Sequence, residues 1–354
     1  MCQPGKDSEP SPWQPANKNH NDKETGMSAV QKLLILYTGG TIGMQMSAAG
    51  LAPASGFEER LREQQALQAQ ALPNWTFREL LPLIDSANMT QENWLSMVDA
   101  IRQGVEEAGC DAVLVLHGTD TLAYSAAALS FLLLGLPVPV LLTGSMQPAG
   151  APQSDAWPNL FGALQALHTG VEPGVHLYFN GQLMQGARVS KLRSDAFDAF
   201  QEVPRQRRAE HLDQLPAYVD FRLKRRPVNL LSVPLVPGLR AAHLQALLDS
   251  GVQALLLECY GSGTGPSDNA ELLDVLRQAH QRGVVLAAIS QCPEGHVEFD
   301  VYAAGSKLAA TGLVSAGGMT REAALGKLFS LIGVGLPQAE VERLMRLDLC
   351  GECG

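Results

Sequence analysis

Two stretches of the sequence place hydroxyl and carboxyl side chains shortly after strongly apolar runs. Thr41 follows the run Leu33–Tyr37 through a threonine and two glycines, and Thr119 and Asp120 follow the run Ala112–Leu116 through a His-Gly pair. Adjacent glycines let the backbone turn sharply and come close to a ligand, which a Cβ would prevent. A threonine hydroxyl becomes a nucleophile only when a base takes its proton, directly or through a second hydroxyl. These residue types fit nucleophilic catalysis, although each threonine taken alone also fits a helix cap.

The elements that position these side chains follow from the hydrophobic pattern. Unbroken apolar runs of five residues are typical of strands buried on both faces of a sheet. Helical patterns alternate with further strand patterns, including a helix from Thr121 to Leu134 and strands at Val138–Leu142 and His176–Phe179. This alternation predicts an α/β fold with a mostly parallel sheet and flanking helices. Chemistry in such sheets lies at the carboxyl ends of strands, so two glycine-threonine ends can share one crevice.

Length and composition predict two domains. A chain of 354 residues is too long for one comfortable core. We expect a larger N-terminal catalytic domain over residues 27–208, a linker over 209–230, where charge and proline content rise, and a smaller C-terminal α/β domain over 231–354. Residues 1–26 are polar and are predicted to form a disordered arm. They lack the apolar segment of a signal peptide, which makes the cytoplasm the expected location.

Three local features are also predicted. The segment Ile42–Phe57 is rich in small and turn-forming residues and is expected to fold over the site as a lid. Thr90 is predicted to cap the helix that follows it, and Asp268 with Glu271 is predicted to cap a helix of the C-terminal domain.

Several function classes are disfavoured by composition. The net charge of −10 without a basic stripe argues against nucleic-acid binding. No apolar run reaches the ~18–20 residues of a membrane helix. The six cysteines are scattered, and the Cys350/Cys353 pair has no nearby partner pair to complete a four-ligand zinc site. We therefore expect no metal, no membrane and no nucleic-acid partner.

Two motifs together identify a family resemblance. Thr38–Gly43 reads TGGTIG and His117–Thr121 reads HGTDT, a highly specific pair that resembles the L-asparaginase family. The resemblance spans about Lys32–Leu344, and Leu83–Ser86 and Phe197–Phe200 make it closest to the bacterial cytosolic, type I branch. It implies hydrolysis of the side-chain amide of L-asparagine to aspartate and ammonia, without a metal or organic cofactor.

The resemblance also implies catalytic roles for individual residues. Thr41 matches the threonine that is acylated, and Thr119, Asp120 and Lys191 match a second set of hydroxyl, acid and amine. A lysine buried beside a carboxylate is influenced in two directions, because desolvation favours the neutral amine and the acid favours the cation. Only the neutral amine accepts a proton. His117 is expected to pack beside the turn rather than to act as a general base.

Substrate binding is implied at the same crevice. Asp120 matches the residue that holds the substrate ammonium, with Thr119 beside it. Ser86, after the acidic residue Asp85, matches the serine that holds the substrate α-carboxylate. Backbone N–H groups of the glycine turns are expected to stabilise the tetrahedral oxyanion.

The sequence departs from the family pattern at two positions. Many asparaginases carry a lid tyrosine, but the corresponding place near Leu51 has no hydroxyl. Tyr302 is the substitute that the sequence offers, and a packed aromatic residue at a helix start is its alternative role. Some cytosolic members are regulated by substrate at an arginine before a Ser-Tyr-Gly turn, where this chain has Glu258. Because an acid repels a carboxylate, we expect that regulation to be absent.

Three alternative functions remain open from the sequence. The first is a glutaminase-asparaginase, because one methylene of substrate length discriminates weakly. The second is the asparaginase-like subunit of a tRNA-dependent amidotransferase, which normally carries an extra N-terminal domain. The third is a non-catalytic amino-acid sensor with the same fold. The family resemblance further implies a homodimer or homotetramer.

Overall fold

The computed structural model describes residues 30–47, 50–67, 72–203, 210–212 and 214–353. The predicted arm over residues 1–26 lies outside these ranges. The strands are β1 (Lys32–Gly39), β2 (Gln45–Ser47), β3 (Gly50–Ala52), β4 (Asn74–Ile84), β5 (Ala112–Leu116), β6 (Pro139–Thr143), β7 (Gly174–Phe179), β8 (Gln182–Gln185), β9 (Val189–Lys191), β10 (Phe200–Glu202), β11 (Leu230–Pro234), β12 (Ala254–Cys259), β13 (Val285–Ser290) and β14 (Val314–Ser315). The helices are α1 (Phe57–Ala66), α2 (Gln91–Arg102), α3 (Leu122–Leu132), α4 (Ala156–Thr169), α5 (Ala241–Leu248), α6 (Ala270–Gln281), α7 (Ala303–Ala309), α8 (Arg321–Gly333) and α9 (Gln338–Met345).

The larger sheet has six strands in the order β4-β1-β5-β6-β7-β8. All neighbouring pairs are parallel except β7 and β8. A second sheet of four parallel strands, β11-β12-β13-β14, lies in the C-terminal part. The predicted fold class, a larger mostly parallel sheet with helices and a smaller C-terminal α/β unit, is confirmed.

The unbroken apolar run of β1 reflects helices on both faces of the large sheet. Leu34 and Leu36 enter a core formed with α2, α3 and α8, whereas Leu33, Ile35 and Tyr37 enter a separate core formed with α1 and α4. Side chains alternate between faces along a strand, and here both faces are covered. Every residue of the strand after Lys32 is therefore buried.

The two sheets are joined by helix packing. Helix α8 lies between the C-terminal sheet and α3 of the larger unit, and a Cβ on Gly326 would lie 2.9 Å from the Cα of Ala128. The segment predicted as a linker is packed as well. Phe221 is 1% exposed and its N–H donates to the Leu134 carbonyl at 2.9 Å.

A buried ion pair closes the C-terminal end of the described chain. Lys327 of α8 and Glu352 are both fully buried, with Nζ 2.5 Å from Oε1. Glu352 also accepts the N–H groups of Leu349 and Cys350. No helix among the described residues has the length and apolarity to cross a membrane.

The two predicted caps had different outcomes. Thr90 caps α2 through a reciprocal pair of bonds with Asn93, as predicted. The predicted cap of α6 was wrong, since the N-cap is Asn269, which accepts from Leu272 N–H. The side chain of Asp268 is held instead by Lys307, whose Nζ lies 2.8 Å from Oδ1.

Candidate active site

Three adjacent strand ends form the site, because β4, β1 and β5 are neighbours in the sheet. The Gly40 N–H donates to the Ile84 carbonyl at 3.1 Å. A Cβ on Gly40 would lie 2.3 Å from the Gly118 nitrogen, and the φ of Gly40 is 84°. Only glycine permits this approach and this backbone angle. The residues that follow these two glycines, Thr41 and Thr119, are therefore anchored to two turns in direct backbone contact.

Thr41 begins a short 3-10 turn, Thr41–Gly43, and is half-buried. Within the described part of the chain, its hydroxyl has no hydrogen-bond partner. The Tyr37 side chain packs directly against this turn, because a Cβ on Gly43 would overlap the Tyr37 hydroxyl. That hydroxyl donates to the Ala54 carbonyl at 3.3 Å. Burial, with a contribution from Glu79, raises the pKa of Tyr37 well above its usual range.

Lys191 brings the predicted hydroxyl, amine and acid together. It ends β9, and its Nζ lies 3.1 Å from Thr119 Oγ1 and 2.8 Å from Asp120 Oδ1. The side chain of Lys191 is 18% exposed, whereas that of Asp120 is 63% exposed. An ion pair with one member this exposed adds little stability. The arrangement therefore leaves the acid open to a ligand while the amine is sheltered next to a buried hydroxyl.

Ser86 lies against the second turn. It is 2% exposed, and a Cβ on Gly118 would lie 2.5 Å from its hydroxyl oxygen. The Thr121 hydroxyl donates to the Ser86 carbonyl at 2.8 Å. Asp85 caps the turn that begins at Ser86 by accepting the Ala87 N–H at 3.2 Å. The turn that begins at Ser86 is thus fixed against the turn that contains Gly118.

His117 is fully buried beside the site. Its Nδ1 lies 2.7 Å from the Gly118 carbonyl oxygen and its Nε2 lies 2.8 Å from Ser125 Oγ. Burial lowers the pKa of His117 to about 4, against a smaller opposing effect of the bond to Gly118. A histidine held neutral by burial fits the packing role expected from the sequence. The hydrogen-bonding roles of Ser125 and Trp94 beside His117 were not predicted, because no sequence signal separates these two residues from other helical residues.

Tyr302 is not joined to this group by the described contacts. It precedes α7 in the C-terminal unit, is 57% exposed, and its backbone carbonyl accepts from Gly305 and Ser306 N–H groups. The segment after Thr41 forms the hairpin β2-β3, in which Leu51 pairs with Met46. Both of these apolar side chains are exposed.

Glu258 has a cationic partner that the sequence argument did not include. It is 4% exposed and accepts from both Nε and Nη2 of Arg321 at 2.6 Å, and from Ser232 Oγ at 2.8 Å. Bonding to Glu258 raises the pKa of Arg321 above its usual range. The carboxylate is therefore compensated by a guanidinium, so repulsion by Glu258 alone is an incomplete description of this position.

Comparisons with known proteins cover nearly the whole described chain. Residues 32–220 match the family model "Asparaginase, N-terminal" and residues 230–345 match "Glutaminase/Asparaginase C-terminal domain". The chain is 35% identical over 338 residues to L-asparaginase 1 of Escherichia coli strain K12, covering 91% of this chain and 98% of that protein. It is 33% identical over 361 residues to the 60 kDa lysophospholipase of Mus musculus, covering 92% of this chain and 63% of that protein.

Solved structures agree with these matches. The crystal structure of L-asparaginase I from Vibrio cholerae O1 biovar eltor strain N16961 superposes with a TM-score of 0.80 at 33% identity, covering 92% of this chain and 100% of that chain. The chain belongs to the L-asparaginase family, within its type I bacterial branch, and is an amidohydrolase.

Proposed function

We propose that this L-asparaginase works through an acyl-enzyme on Thr41. Its hydroxyl oxygen attacks the side-chain amide carbon of L-asparagine, the amide nitrogen takes up the proton lost by Thr41 and leaves as ammonia, and water then hydrolyses the resulting ester to give aspartate and restore the Thr41 hydroxyl. The observation that carries the proposal is the triad beside the nucleophile turn: Lys191 Nζ contacts both Thr119 Oγ1 at 3.1 Å and Asp120 Oδ1 at 2.8 Å. Thr119 directly follows the glycine that touches the Thr41 turn.

The triad supplies the route for the proton in this proposal. The Thr41 proton passes to the Thr119 hydroxyl and then to Lys191, with Asp120 stabilising the ammonium that forms. The amine accepts the proton only when it is neutral. Tyr302 is the remaining candidate for a catalytic hydroxyl, and its exposure in the single chain leaves it accessible.

Recognition of the amino acid is proposed at the polar groups around the same turn. Asp120 holds the substrate ammonium, which its 63% exposed side chain can reach. Ser86 holds the α-carboxylate, and Asp85, the other residue expected to bind substrate, fixes the turn that begins at Ser86. Backbone N–H groups of the two glycine turns stabilise the tetrahedral oxyanion.

A matched pair of substitutions tests the nucleophile. Thr41→Val keeps the shape of the side chain without its hydroxyl, whereas Thr41→Ser keeps the hydroxyl. We expect ammonia release from asparagine to fall at least ~10³-fold in Thr41→Val, as for loss of a nucleophile, and to remain readily measurable in Thr41→Ser. A Thr41→Val rate within tenfold of the wild-type rate would place the nucleophile elsewhere.

The same assay separates the alternative functions. Glutamine in place of asparagine adds one methylene, which a pocket discriminates by only about 1–3 kcal/mol. Comparable kcat/KM values for the two amides would support a glutaminase-asparaginase. Wild-type protein that binds asparagine by calorimetry but releases no ammonia would support a sensor.

We also propose the domain division, location and assembly that the sequence predicts. The division at residues 27–208, 209–230 and 231–354 is supported by the two separate sheets. A cytoplasmic location and a homodimer or homotetramer follow from the family to which the chain belongs. Size-exclusion chromatography with light scattering measures the assembly directly.

A further inference from the structure

A chain of three hydrogen bonds leads from α2 to the second glycine turn. Trp94 Nε1 of α2 lies 2.8 Å from Ser125 Oγ of α3. The same Oγ lies 2.8 Å from His117 Nε2, and His117 Nδ1 lies 2.7 Å from the Gly118 carbonyl oxygen. Ser125 and His117 are both fully buried, so water does not compete for these bonds.

The chemistry of the end groups assigns every proton in this chain. An indole N–H only donates and a carbonyl oxygen only accepts. Ser125 therefore accepts from Trp94, and Nδ1 of His117 carries the proton that is donated to Gly118. In a neutral ring Nε2 is then an acceptor, and it receives the Ser125 hydroxyl proton. The opposite tautomer would set the Nδ1 lone pair against the Gly118 carbonyl oxygen at 2.7 Å.

Fixing the Gly118 carbonyl also fixes the next N–H group. A trans peptide is planar, and its C=O and N–H point in opposite directions. Because the carbonyl points at the buried His117 ring, the Thr119 N–H points away from it. Among the described residues this N–H has no hydrogen-bond partner. It belongs to the residue whose side chain contacts Lys191 and lies beside the Gly40 turn.

We propose that Trp94, Ser125 and His117 are positioning residues that aim the Thr119 N–H at the oxygen of the substrate amide. In that position the N–H stabilises the oxyanion of the tetrahedral intermediate, and the neutral His117 ring holds its peptide plane. The inference rests on the proposed attack by Thr41. It goes beyond that proposal, because it makes side chains of α2 and α3 responsible for the orientation of the Thr119 N–H in the reaction.

Two buried serines on the same helix give a matched test. Ser125→Ala removes the hydroxyl that links Trp94 to His117, whereas Ser130→Ala removes a hydroxyl that donates only to Ala126 of its own helix. Removing an oxyanion donor lowers kcat about 10²–10³-fold. In Ser125→Ala the donor is still present but wrongly oriented, so we expect kcat to fall at least ~10-fold and KM to change less than ~3-fold. Ser130→Ala should keep kcat within about twofold. A kcat within twofold of wild type in folded Ser125→Ala, or an equal loss in both variants, overturns the proposal.

The wild-type protein offers a readout that does not depend on activity. In ¹⁵N spectra of labelled protein at neutral pH, the His117 signal is identified by its loss in His117→Gln. We expect Nδ1 protonated and Nε2 unprotonated, and a protonated Nε2 overturns the proposal even if Ser125→Ala fails to fold. Activity that survives in Thr41→Val contradicts the proposed nucleophile and leaves this tautomer unchanged, so the two failures are distinguishable.

Discussion

The burial of His117 predicts a specific dependence of stability on pH. Its pKa falls from 6.5 to about 4 in the folded state, so the unfolded chain binds a proton that the folded protein does not. Stability is therefore full above the unfolded pKa and decreases as the pH falls toward the folded pKa. At about 1.4 kcal/mol per unit, this shift amounts to about 3 kcal/mol in all. About 2 kcal/mol of it is lost between about pH 7.5 and about pH 5.

Urea unfolding of the wild type and of His117→Gln measures this effect. Glutamine does not titrate, and the protein's acidic residues contribute to both curves alike, so the difference in their pH slopes isolates His117. We expect the free energy of unfolding of the wild type to fall by about 2 kcal/mol more than that of His117→Gln over that pH range. Trp94→Phe alters the same network but keeps the histidine, and it should retain the wild-type slope. Parallel curves for wild type and His117→Gln would refute a neutral buried His117.

Three further outcomes are expected. Tyr302→Phe should lower kcat at least ~10-fold, as for loss of an acid–base contact, and near-normal turnover in steady-state assays would remove Tyr302 from the catalytic residues. Gly40→Ala should lower kcat/KM at least ~100-fold, because its Cβ would lie 2.3 Å from the Gly118 nitrogen and would push the two turns apart. A displacement of about 1 Å at a catalytic group lowers the rate about 100-fold. An unchanged kcat/KM would show that the two turns need not touch. The rate should rise hyperbolically with asparagine concentration, and a sigmoidal curve that a substitution at Glu258 abolishes would contradict the expected absence of regulation.

The hydrophobic pattern was sufficient to predict the architecture that carries the site. The run at Ala112–Leu116 corresponds residue for residue to β5, and β1 extends the run at Leu33–Tyr37 to the first glycine of the turn. Such runs are informative because a strand covered on both faces needs apolar side chains at every position. The alternation of these strands with helices then left few possible topologies.

Features that depend on distant partners were not predictable in the same way. Glu258 and Arg321 lie 63 residues apart, and nothing local to Glu258 indicates its guanidinium partner. The cap of α6 failed for a related reason. Asp268 and Asn269 both suit a cap, and nothing local shows that Asn269 takes the position while Asp268 pairs with Lys307 of another helix.

The grouping of the catalytic residues could be predicted in part. The motifs indicated that Thr119, Asp120 and Lys191 belong together, but the distances from Lys191 depend on how β9 is placed against the large sheet. The His117 network was beyond sequence reasoning, because a serine on the almost fully buried helix α3 and a tryptophan on the amphipathic helix α2 look like ordinary packing residues until their polar atoms are located.

The ion pair between Lys327 and Glu352 has a consequence for how the protein is made. Lys327 sits in the helix that joins the two sheets, yet its counterion is synthesised 25 residues later. Until Glu352 leaves the ribosome, burying that ammonium would strand an uncompensated charge, at a cost of several kcal/mol. Docking of α8 against α3 should therefore be among the last steps of maturation, and nascent chains shortened before Glu352 should remain open to proteases at the seam between the two units.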